Sequence, residues 1–143
     1  MMTVFRNRRV VQKMLQQYFI ELGEGYGDVY ELLELLKTNQ HRLHRTFIFS
    51  SEINGKQAIS LAATFKPANN SNFMPVYICR EGIKEEVGQK SKRTLLFEQA
   101  AAEYGNIPVP ISVKHSSEFA DTRLYFQYIT GILRLNNLVP PLQ

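Results

Sequence analysis

"RTFIFSSEINGKQAISLAATFKP", residues 45–67, reads as two strands folded against each other. Runs rich in β-branched, aromatic and small apolar residues flank Asn54-Gly55, the dipeptide that supplies both positive φ angles of a type I′ turn. A hairpin here forces an antiparallel pair into the sheet, and the other elements are read outward from it. Upstream, "QYFIEL" (17–22) reads as a short strand, followed by a glycine-rich loop and a helix from Asp28 to about Gln40. In that helix Asp28 and Glu31 form a capping box, while Val29, Leu32, Leu33 and Leu36 repeat at helical spacing on one face.

Downstream, the polar loop "PANNSNF" (67–73) precedes a strand, "MPVYICR" (74–80). Ser91 opens a second helix that Gly105 terminates. "VPISV" (109–113) is a short buried strand, and a third helix starts near Ser116 or Ser117 with Leu124, Tyr125, Tyr128, Ile129, Ile132 and Leu133 on its apolar face. This order predicts an α/β (α+β) fold: a single-domain mixed sheet of about five strands packed with three helices. The hairpin is antiparallel, and the late strand, helix, strand unit calls for a right-handed parallel crossover.

The chain of 143 residues suits one domain, and such a chain buries about two thirds of the surface its unfolded form exposes. With 44% hydrophobic and 21% charged residues it is neither a disordered chain nor a membrane span. Cys79 is the single cysteine, which excludes an internal disulfide and a cysteine-rich zinc site and points to the cytoplasm. The net charge of +4 sits at the front, where residues 1–13 hold Arg6, Arg8, Arg9 and Lys13 and no acid; the remainder carries 13 basic and 13 acidic residues. Residues 1–13 are therefore read as a basic extension, either an arm for nucleic acid or a segment upstream of a native start at Met14. Residues 14–143 are the globular domain.

The loop "GEGYG" (23–27) invites a phosphate, but a dinucleotide fingerprint would need glycine where Asp28 stands, and a P-loop would need Gly-Lys-Ser/Thr at Asp28, Val29 and Tyr30. Glu24 and Asp28 would also repel an anion, so the glycines serve a sharp turn, and a cationic or neutral ligand near Glu24 and Tyr26 is the functional alternative. "HRLHR" (41–45) offers His41 and His44, too few ligands for zinc; Arg42 and Arg45 are the candidates for an anion. "YICREG" (77–82) places Cys79, Arg80 and Glu81 at a strand end, where α/β proteins position ligands. Alternation sends Val76, Ile78 and Arg80 to one face and Tyr77, Cys79 and Glu81 to the other. Cys79 is read as an inert buried thiol, and Arg80 with Glu81 as the better polar site. "KEEVGQKSKR" (84–93) reads as a solvated loop. Phe126 falls off the main stripe of the last helix and suits a homodimer contact. No motif implies a cofactor or a metal.

The stretches "FIELGEGYGDVYELLEL", "PVYICREGI" and "LYFQYITGILRLNNLVPP" are similar to a family of uncharacterised small cytosolic proteins of Bacillus-type bacteria. The likeness runs from Met14 to the end and implies a small cytosolic domain without assigning activity or catalytic residues. Two functions follow. The first is a non-enzymatic binding or regulatory module that associates with itself, with a protein partner or with a small ligand. The second is an enzyme on a restriction-endonuclease-like core, degenerate because residues 57–66 lack the acids its metal site needs; Glu31, Glu34 and Glu81 would have to replace them.

Overall fold

The Asn54-Gly55 turn forms as its sequence demands: φ is 51° at Asn54 and 78° at Gly55, and Ile53 pairs with Lys56 across it. The computed structural model describes residues 16–22, 28–68 and 73–138. In chain order these form β1 (Gln16–Glu21), α1 (Asp28–Thr38), β2 (Leu43–Ile53), β3 (Lys56–Phe65), β4 (Phe73–Glu85), α2 (Lys92–Glu103), β5 (Val109–Ser112) and α3 (Thr122–Leu135). Short 3₁₀ turns lie at Gln40–Arg42 and Ser116–Glu118. The basic extension with Arg6, Arg8 and Arg9, the Met14 start, the Asp28 side chain, and Glu24 and Tyr26 of the glycine loop lie outside the described residues.

One mixed sheet, ordered β1-β4-β3-β2-β5, and three helices make the single α+β domain that the pattern predicts. β2, β3 and β4 form an antiparallel meander, while β1 adds to β4 and β5 adds to β2, both parallel. It follows that β1, β2, β4 and β5 all point one way and β3 alone opposes them. Each of the connections β1-α1-β2 and β4-α2-β5 therefore passes over two strands in the same direction. Both helices pack on one face, so the two crossovers share one hand.

The central strand β3 is buried along Ala58–Phe65 and separates two apolar layers. Ile59, Leu61, Ala63 and Phe65 face α1 and α2, where Val29, Leu32, Leu36 and Phe97 meet them. The other face of β3 carries small residues such as Ser60 and Ala62, which leaves room for α3 to seat Tyr125, Ile129 and Leu133 against Phe47 and Phe49. Phe126, off that stripe as expected, stacks on Phe19 of β1 with ring centroids 4.4 Å apart, so its ring covers a second surface of its own chain.

Several expected boundaries move, each for a local reason. Helix α1 stops at Thr38, where the Thr38 hydroxyl and the Asn39 amide donate back to the carbonyls of Glu34 and Leu35. His41 thus sits in a 3₁₀ turn and His44 in a bulge at the start of β2, not on one helical face. Strand β5 is an edge strand and half-buried, not a buried one; Pro110, which has no N–H to give, is tolerated there. Helix α3 begins at Thr122, capped by Asp121, because His115 caps a separate turn before it. The run 84–93 is not wholly solvated. Lys84 and Glu85 end β4, and the buried Glu85 carboxylate accepts from the Ser91 N–H at 2.7 Å and from the Thr94 hydroxyl, joining β4 to the start of α2.

Among the described residues no helix is long and apolar enough to cross a membrane.

Candidate functional site

The polar side chains that converge do so on the α3 side of the sheet, at the end where β1 and β5 terminate. Their arrangement begins with an irregularity in β4. Between the pairs Ile59–Ile83 and Leu61–Cys79, β3 contributes only Ser60 whereas β4 contributes Arg80, Glu81 and Gly82. The excess is absorbed at Glu81, whose φ of 52° lies in the left-handed region. That conformation costs a non-glycine residue roughly 1 kcal/mol or more, and it persists where surrounding contacts hold it. Here the Glu81 N–H donates to Ser60 Oγ at 2.7 Å.

The turn also redirects the side chain. Strand alternation placed Glu81 with Tyr77 and Cys79, toward α1 and α2; instead its carboxylate meets the connection from β5 to α3. Oε2 accepts from the Ser116 N–H at 2.9 Å and lies 2.9 Å from His115 Nε2, and Oε1 accepts from the Ser116 hydroxyl. His115 Nδ1 accepts from the Ser117 N–H at 3.1 Å, so the ring carries its proton on Nε2 and donates it to Glu81. The Ser117 hydroxyl lies 2.8 Å from the same Nδ1. Cys79, buried on the opposite side of the sheet, has no share in this arrangement.

Arg80, alternating normally, points toward α3. Its Nε lies 3.2 Å from Glu21 Oε1 at the end of β1, and its Nη1 donates to Thr122 Oγ1 at 3.2 Å in the first turn of α3. Beneath these groups lies Tyr125, with 0% of its surface exposed. The Tyr125 hydroxyl faces the Ser60 side chain, whose polar contact eases the upward push on the phenol, although it makes no hydrogen bond of good geometry among the described residues. Burial, with the Glu81 carboxylate second, pushes this phenol well above the ordinary tyrosine range, so it is a neutral donor. A buried donor without a well-formed hydrogen bond is uncommon, and a functional role is one physical reason for it.

The remaining predicted site residues do not join this corner. Arg42 grips the Lys66 carbonyl with Nε at 3.0 Å and Nη2 at 2.9 Å, a structural use that closes the start of the hairpin. Arg45 lies on β2 with its Nε buried and without a hydrogen-bond partner among the described residues, and His44 beside it bonds Thr64 Oγ1 at 3.3 Å. Burial, then the charges of Arg45 and Lys66, lower the His44 pKa. A cleft of about 390 Å³ on the opposite face is lined by Tyr30, Lys84, Lys92 and Arg93 and opens at the start of α2. That helix start is capped from within by Glu85 and Ser91, which removes much of its attraction for an anion. The acids suggested for a nuclease are dispersed: Glu31 and Glu34 are exposed on α1, and Glu81 is bound to His115 and Ser116. Among the described residues no three His, Cys, Asp or Glu side chains group as a metal site.

Sequence reasoning thus selects Arg80 and Glu81, and the structure adds His115, Ser116, Ser117, Ser60, Thr122 and Tyr125. The available signal for three of them is "KHSSE" (114–118), a histidine followed by two hydroxyls at cap spacing. No curated protein and no solved structure matches the chain. Residues 14–139 match the family described as Domain of unknown function (DUF7147), and the chain belongs to that family.

Proposed function

We propose that the protein is a binding module whose ligand, a small polar molecule, docks at the corner formed by Glu21, Arg80, Glu81, His115 and the first turn of α3. The observation that carries this reading is the Tyr125 hydroxyl, fully buried beneath that corner beside Ser60 and without a well-formed hydrogen bond among the described residues. A ligand oxygen that displaced the side chains covering Tyr125 would accept from its hydroxyl, while Arg80 and Glu21, both partly exposed, offer charges of either sign to the rest of the molecule. The strained Glu81 supports the same reading, because it holds the β5-α3 connection over the sheet end at a conformational cost that the hairpin and helices do not require. The lone buried thiol and the resemblance to proteins of Bacillus-type bacteria support a cytoplasmic bacterial setting.

A thermal-shift screen of metabolites and metal ions against the wild type, with solution mass measured in parallel, tests the proposal. A ligand at 100 times its Kd stabilises by roughly 2.7 kcal/mol, well above the resolution of the method. Its effect is expected to disappear in Arg80→Ala and Tyr125→Phe. Hits that stabilise both variants as much as the wild type bind elsewhere and refute this assignment.

A further inference from the structure

The contacts around His115 go beyond what binding needs. A histidine that only capped the Ser116–Glu118 turn would require one acceptor nitrogen and nothing on the other. In this protein Nε2 is held 2.9 Å from Glu81, a carboxylate brought from 34 residues earlier by the left-handed turn of β4. Nδ1 is shared between the Ser117 N–H at 3.1 Å and the Ser117 hydroxyl, which is closer at 2.8 Å; Ser117 is exposed while the Glu81 side chain is only 10% exposed. A hydroxyl, a base nitrogen within reach of it, and a carboxylate orienting the base are the three parts of an activated oxygen nucleophile.

We propose that Ser117 is a nucleophile, with His115 as its general base and Glu81 as the residue that positions the ring, and that it takes acyl groups from activated esters. In the forward step the Ser117 Oγ–carbonyl carbon bond forms and the hydroxyl proton passes to His115 Nδ1. The tetrahedral adduct then expels the alcohol, whose oxygen recovers that proton as the ester C–O bond breaks. Water repeats the sequence on the acyl-serine, releasing a carboxylic acid and restoring Ser117. The imidazolium formed in each half carries a proton on Nε2 that faces the Glu81 carboxylate, which stabilises it. The inference goes beyond the binding reading and shares its location.

Intact-mass spectrometry after treatment with a fluorophosphonate tests the first step directly. Attack forms an Oγ–P bond, breaks P–F, and releases fluoride with the proton on His115. One adduct is expected, mapping to Ser117 and not to Ser116, and absent from Ser117→Ala. His115→Asn keeps an oxygen to cap the turn but removes the base, so labelling is expected to slow by roughly 100-fold or more while circular dichroism shows the variant still folded at the assay temperature. With p-nitrophenyl acetate, Glu81→Gln is expected to lower kcat while KM holds, as a positioning residue should. No adduct on the wild type, an adduct at another residue, or His115→Asn labelling at the wild-type rate would each overturn the proposal. If labelling fails while the Arg80- and Tyr125-dependent stabilisation persists, the nucleophile is refuted and the binding site stands.

Discussion

Replacing Tyr125 by phenylalanine separates a hydroxyl kept for function from one kept for stability. The ring is fully buried and packs edge-on against Phe119, with centroids 5.6 Å apart, so the substitution leaves the apolar contacts of α3 in place. Only the oxygen is lost. A buried hydroxyl that lies beside Ser60 without a well-formed hydrogen bond costs about 1–3 kcal/mol relative to its hydrated state, and that penalty is relieved on removal. The atom-sized void left behind offsets less than about 1 kcal/mol of the gain. The expected net effect is a stabilisation of about 1 kcal/mol, or about 2–4 °C in Tm for a chain of this length. Urea unfolding followed by circular dichroism would show a raised midpoint with an unchanged slope. Binding would move the other way, since the same variant is expected to lose the ligand response, a trade of activity against stability common at functional sites. A Tyr125→Phe protein destabilised by 1 kcal/mol or more would show that the hydroxyl is satisfied in solution, and the main support for the corner as a ligand site would fall.

Two further outcomes test the frame that holds the corner. Asn106 Oδ1 accepts from the Thr46 N–H at 3.1 Å and from its hydroxyl at 2.8 Å, while Nδ2 donates to the His44 carbonyl at 3.3 Å. Thr46 is wholly buried, so Asn106→Ala strands two polar groups and is expected to destabilise by about 2–4 kcal/mol in urea unfolding; a loss below about 0.5 kcal/mol would mean the tie between the end of α2 and β2 is replaced by solvent. His44 sets a pH dependence. Its folded pKa lies below the ordinary value of 6.5, so the unfolded chain binds the proton more readily. The stability associated with neutral His44 is complete above the unfolded pKa and is lost as pH falls from there through the lowered folded one. Melting temperature is therefore expected to fall on acidification through this window in the wild type and to fall less in His44→Gln; parallel curves would contradict the assignment.

The sheet was legible in the sequence wherever side-chain pattern and backbone conformation agree. Asn54-Gly55 names its own turn, and the alternation of Val76, Ile78 and Arg80 against Tyr77 and Cys79 holds as the periodicity requires. It fails at Glu81 because nothing local marks a glutamate for positive φ. Gly82, its neighbour, is the residue that φ > 0 would suggest. The conformation is imposed from a distance: β3 has one residue where β4 has three, and the Ser60 hydroxyl receives the N–H that the irregular pairing frees. His115 and Ser116 were hidden for a related reason. Their partner lies on a strand three positions away across the sheet, and which strand β5 would join could not be read from its four residues. Once β5 pairs with β2, parallel and at the edge, the chain leaving it must cross the ends of β2 and β3 to start α3. The only acid that β4 turns toward that path is the one whose backbone has been inverted. The parallel addition of β5 and the left-handed turn at Glu81 are thus two conditions for one contact, and a protein with the same motifs but either condition changed would have no such corner.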